Sequence, residues 1–191
     1  MLPLVRKASP RDLFGKPISQ RRLRYEAALE RDDRTSLAER AARVRWVAQA
    51  IPRKALTDMP FETMAVLQEA KATFIAGQFM ATIVLSAAFF EHWLASSLIS
   101  AGFKGEAAQG WTAAIAYARQ HSLVPPVFLD KADRLHQIGN PFIHHKSFEH
   151  EQIPVRRPFA IGKHPYKFLE RDAQESLMLI YAVALYGIKR T

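Results

Sequence analysis

Apolar positions recur at spacings of three and four along most of this 191-residue chain, and no stretch alternates polar and apolar residues long enough to predict a strand. Prolines and glycines divide the pattern into segments. Residues 1–17, with Pro3, Pro10, Gly15 and Pro17 among scattered charges, have the character of an arm with little regular structure. A first helix is predicted over about 19–31. Ser36-Leu37-Ala38-Glu39 has the spacing of a capping box and predicts a second helix, opening at Ser36 and ending before Pro52. Its apolar stripe is Leu37, Ala41, Val44, Val47, Ala48 and Ile51. Arg40, Arg43 and Arg45 fall around that stripe, as solvated charges or as a basic surface for RNA or another acidic partner, and Trp46 lies opposite it.

Pro60 and Gly77 bracket a helix over 61–76, and Gly77-Gln78 marks a break before a more apolar helix over 79–100. Residues 72–90 carry no charge over 19 positions, near the ~20 that a membrane-spanning helix needs. Thr73, Gly77, Gln78, Thr82 and Ser86 interrupt that run and Glu91-His92 follow it, so the expectation is the buried central helix of a bundle and no membrane span. On such a helix Glu91 and His92 would each need a partner. A helix over 110–120 follows, and Pro125-Pro126 open another that should run through Leu129, Ala132, Leu135 and Ile138 and stop at Gly139-Asn140-Pro141. Residues 146–171 form an expected irregular excursion. Asp172 then caps a final apolar helix. The predicted fold class is all-α, an up-and-down helical bundle, with residues 1–60 as a basic arm and helices packed on a bundle formed by 61–191.

Composition supports a sizeable core, with 49% hydrophobic residues. The net charge is +9, and residues 1–60 hold 14 Lys/Arg against 7 Asp/Glu, so most of the excess sits in that third. A basic balance of this kind attracts RNA or an acidic protein. The chain has no cysteine, which excludes disulfides and thiolate metal sites. MLPLVRKASPRDLF lacks the apolar core of a secretory signal, and the expected location is the cytoplasm.

Candidate chemistry is sparse. Phosphate-cradling glycine loops, HExxH and GxSxG are all missing from the sequence. Five of the seven histidines, His136, His144, His145, His150 and His164, cluster between 136 and 164. Adjacent imidazoles such as His144-His145 point apart on any regular element, so no metal and no cofactor are expected; surface, capping, acid–base or phosphate-contacting roles stay open.

The helix–break–helix over EAKATFIAGQFMATIVLSAAFFEHWLASSL, the following LHQIGNPFIHH and the final RDAQESLMLIYAVALYGI together resemble the HEPN superfamily of helical-bundle proteins, over about residues 62–191. The resemblance implies a homodimer and, in catalytic members, metal-independent RNA cleavage through an RNxxxH motif. Asn140 and His144 match that motif, while Gly139 stands where its arginine belongs. Glycine offers no charged fork for phosphate. The reading that follows is a HEPN-like binding or regulatory protein in a bacterial defence, toxin–antitoxin or stress setting, capturing RNA or a protein partner without efficient cleavage. One alternative is an endoribonuclease that uses His144 and Asn140 with Arg134, or a basic residue of 146–171, as the substitute cation. Another is a structural or interaction protein whose basic N-terminal third docks an acidic protein. From the residues alone, Gly139 permits a left-handed helix end, Asn140 bonds locally and Pro141 stops the helix.

Overall fold

A computed structural model describes residues 11, 15, 20–51, 59–143 and 165–188. All the regular elements among them are helices: α1 (Gln20–Ala50), α2 (Phe61–Ala76), α3 (Phe79–Ser100), the single turn α4 (Lys104–Ala107), α5 (Trp111–Gln120), α6 (Pro126–Ile143) and α7 (Pro165–Ile188). The all-α bundle expected from the sequence is the observed class. The chain divides into two units, Met1–Ala42 and Arg43–Thr191.

In the first unit α1 is already continuous through residues 31–36, where the sequence predicted a break and a new cap. Ser36 does not cap; its Oγ donates to the carbonyls of Asp32 at 3.0 Å and Asp33 at 3.4 Å. RDDRTS holds neither glycine nor proline, and the Glu30–Arg34 pair at 3.1 Å spans one helical turn across it. Helix therefore propagates where an isolated capping motif would have started it.

The second unit is organised by α3, which packs on α2, α4, α5, α6 and α7. Phe79, Ile83, Phe89, Phe90, Leu94 and Leu98 on α3 are buried, and with Thr82, Ser86 and Ala87 they cover most of its circumference. Glu91 and His92, expected to need partners inside the core, are instead exposed at the gap in this coverage. Although α3 is long and apolar enough to cross a membrane, half of its most apolar window is buried against the rest of the fold.

Between α2 and α3 the chain reverses through the predicted break. Gly77 has φ +81°; its N–H bonds the Phe74 carbonyl at 3.0 Å, and the Gln78 N–H bonds the Thr73 carbonyl at 2.8 Å. This is a Schellman end with glycine in its left-handed position. Across the reversal the Thr73 and Thr82 hydroxyls lie 3.1 Å apart and share a hydrogen bond.

Two further expectations are corrected. Helix α6 runs through Gly139-Asn140-Pro141 to Ile143 rather than stopping there. Pro141 falls in the last turn, where its missing N–H costs one intrahelical bond, and Phe142 just after it packs on the core. Helix α7 starts at Pro165, seven residues before the expected Asp172 cap. Tyr166 holds that early turn: its ring meets Phe79 edge-on at 5.3 Å and its hydroxyl donates to the Gly77 carbonyl at 3.2 Å. Asp172 is consequently buried inside the helix, and the Ser176 hydroxyl donates to its carbonyl at 2.7 Å.

The last turns of α1, from Arg43, also differ from the predicted stripe. Arg43 is buried at 7% exposure and its guanidinium lies 5.5 Å from the Phe79 ring, a cation–π distance. Trp46 packs on Phe74 at 5.0 Å, whereas Leu37 and Val44 of the expected stripe are exposed.

Gly77→Val tests the left-handed helix end. A β-carbon there would sit 2.9 Å from Arg43 Nη1, and the backbone strain alone costs roughly 1–2 kcal/mol. The urea midpoint is expected to fall accordingly, with far-UV circular dichroism unchanged before the transition. Burial raises the Tyr181 phenol above its usual value of 10.0. Its stabilising contribution is complete below about pH 10, where the unfolded phenol is also neutral, and is lost as pH rises through the folded value. Tyr181→Phe is expected to lessen the alkaline drop in urea midpoint, in a titration from pH 8 upward.

Candidate functional site

Of the candidate site residues Arg134, Asn140 and His144, the described residues include the first two. Arg134 and Asn140 both lie on α6, where six residues of helix set their directions roughly 120° apart around the axis. Arg134 points to α7, where its Nε donates to Glu175 Oε2 at 3.2 Å. Asn140 is half-buried one residue past Gly139. His144, with His145, His150 and His164, lies outside the described residues.

Gly139 has a role different from the expected left-handed cap. It is helical, buried, and absent from the positive-φ positions among the described residues. A β-carbon added to it would lie 3.6 Å from Ile83 Cγ2 and 3.9 Å from Ala87 Cβ. The glycine thus faces α3 at ordinary van der Waals distance, and a side chain longer than that of alanine would press on Ile83 and Ala87. The position at which the resemblance would expect an arginine is a packing position.

His136 is the one clustered histidine among the described residues. Its ring stacks on Trp111 at 5.2 Å with planes 17° apart, and Trp111 in turn packs on Phe90 at 5.4 Å. This makes His136 part of the α3–α5–α6 junction. Among the described residues no group of three or more His, Cys, Asp or Glu is disposed to hold a metal ion.

A feature that motif reasoning missed is the seam between α6 and α7. The helices run antiparallel, since Phe128 meets Tyr186 at 5.3 Å while Arg134, later on α6, meets Glu175, earlier on α7. Between them lies a groove of about 430 Å³. Leu135, Ile138 and Leu179 form its floor and are nearly inaccessible, whereas Met178 stands 45% exposed beside it. Lys131, Arg134 and Glu175 line its edge. Glu175 also accepts from Arg171 Nε at 3.2 Å, so one carboxylate serves two guanidinium groups. The sequence signal for this seam is weak, because Met178 sits in a continuous apolar run that does not distinguish buried from exposed faces.

Gly139→Ala is expected to leave stability unchanged or raise it by up to about 1 kcal/mol, because its contacts are of ordinary van der Waals length and alanine favours helix. Gly139→Arg, which introduces the arginine expected from the resemblance, should destabilise by at least about 3 kcal/mol through overpacking and burial of a charge. Differential scanning calorimetry of the two variants separates a packing glycine from a dispensable one.

The chain matches no family model, no curated protein and no solved structure.

Proposed function

We propose that this chain is a HEPN-like binding or regulatory protein that captures a partner and does not cleave RNA, working as a homodimer in the defence, toxin–antitoxin or stress setting that the resemblance implies. The observation that carries this reading is the packing of Gly139 against Ile83 and Ala87. Metal-independent cleavage of a phosphodiester needs a cation on the phosphate as well as an acid–base group. Gly139 supplies no such cation, and it faces Ile83 and Ala87 of α3 instead. Arg134, the substitute considered from the sequence, is paired with Glu175, and Arg119 is held by Asp130 at 2.9 Å and Asp133 at 3.0 Å.

A protein partner is favoured over RNA by the pairing of charges on α1. Residues 20–42 hold six arginines against five Asp/Glu, and Arg34 and Arg40 are engaged with Glu30 and Asp33. A helix balanced in this way offers little net attraction to a phosphate backbone.

Incubation of purified protein with mixed RNA, resolved on denaturing gels, is expected to leave the RNA intact. His144→Ala and Arg134→Ala should give the same result as the parent chain. Cleavage that disappears in both variants would place the protein among the nucleases instead.

A further inference from the structure

We propose that the groove between α6 and α7 is a docking site for an acidic amphipathic helix of a protein partner. The inference deepens the binding reading above and rests on it.

The two helices present the same three–four spacing to the groove. Lys131, Arg134 and Ile138 recur along α6, and Glu175, Met178 and Ala182 along α7, with Arg171 one turn before Glu175 and paired with it. The α7 row, counted from Arg171, spans roughly 16 Å, about three helical turns. That length receives apolar side chains at i, i+3 or i+4, and i+7 of a helix laid along the seam. The floor of Leu135, Ile138 and Leu179 is already buried, so the area left to cover is that of Met178, Ala182 and the stems of the long side chains on the rim. Methionine adapts its shape to an incoming side chain at little conformational cost.

Charge selects among occupants. The rim carries three cations, Lys131, Arg134 and Arg171, around one carboxylate, and Glu175 is shared between two of them. A second copy of this chain, packed with the same face, would bring like charges together across an isologous contact. An RNA backbone would meet the cations but would gain nothing from the exposed Met178 and Ala182. A helix with an apolar ridge flanked by aspartate or glutamate covers those two residues and meets the rim, and like-charge mismatch excludes its basic counterpart.

The test uses the full chain and two fluorescein-labelled synthetic peptides of about 18 residues, long enough for five turns. One carries leucine at i, i+4, i+7 and i+11 with glutamate on the flanks; the other has lysine in place of glutamate. Fluorescence anisotropy is expected to show the acidic peptide binding at least about tenfold more tightly, with the difference shrinking at high salt. Met178→Asp and the double variant Lys131→Glu, Arg171→Glu should each weaken the acidic peptide by about tenfold, a change of about 1.4 kcal/mol. All three positions are exposed, so circular dichroism should be unchanged. Equal binding of both peptides, binding of neither, or insensitivity to both variants would overturn the proposal. A concentration-dependent dimer that Met178→Asp dissociates would assign the groove to a second copy and would overturn it as well. The RNA assay reads the broader function separately: cleavage there would remove the non-nuclease reading, while the peptide measurement decides the groove.

Discussion

A helix that is apolar around most of its circumference must be covered on most sides, and α3 imposes that requirement on the second unit. Phe89, Phe90, Leu94, Leu98 and Ile83 are each at 0–1% exposure. At about 1.5–3 kcal/mol per fully buried side chain, these five contribute on the order of the whole net stability of a domain this size. The contacts of α2, α4, α5, α6 and α7 follow from that demand. Even the single turn of α4 is explained by it, since Phe103 before the turn and Ala107 at its end both pack on the core. Of the buried hydroxyls on α3, that of Thr82 bonds with Thr73 and with the Gln78 carbonyl at 3.1 Å, whereas that of Ser86 has no hydrogen-bond partner among the described residues.

Most of the second unit was legible in the sequence because its boundaries depend on local chemistry. Gly77-Gln78 ended α2 and opened α3 as expected, since a left-handed helix end is a property of a few residues. Two of the expectations that failed depended on distant contacts, and a third on a local choice between two hydrogen bonds. Asp172 looked like a cap, but Tyr166 bonds to Gly77, 89 residues away, and keeps the preceding turn helical. Arg43 looked like a solvated charge, yet the Phe79 ring lies against it. Ser36-Leu37-Ala38-Glu39 has the spacing of a cap, and the same hydroxyl bonds backward within an uninterrupted helix just as well. Neither outcome can be distinguished by spacing alone.

The candidate site shows the same division. The resemblance drew attention to Gly139 and Asn140 and led to the expectation of an arginine where the glycine stands. What spacing could not show is what Gly139 faces: Ile83 and Ala87 on another helix lie against it. The groove was not legible either, because exposure of Met178 within an apolar run depends on which side of α7 faces α3. Two adjacent positions on one helix thus carry unrelated meanings, one set by backbone approach and the other by sequence likeness.

The threonine pair across the α2–α3 reversal has a consequence for how the chain tolerates change in length. Because Thr73 and Thr82 meet across it, the reversal fixes the rotational phase of α3 relative to α2. One inserted residue after Gln78 would turn α3 by about 100°. Ile83 and Ala87 would then swing away from Gly139, and a different set of residues would face α6. A short connection between two helices acts here as a phase lock for a third, so substitutions in this reversal are easier to accommodate than a single insertion.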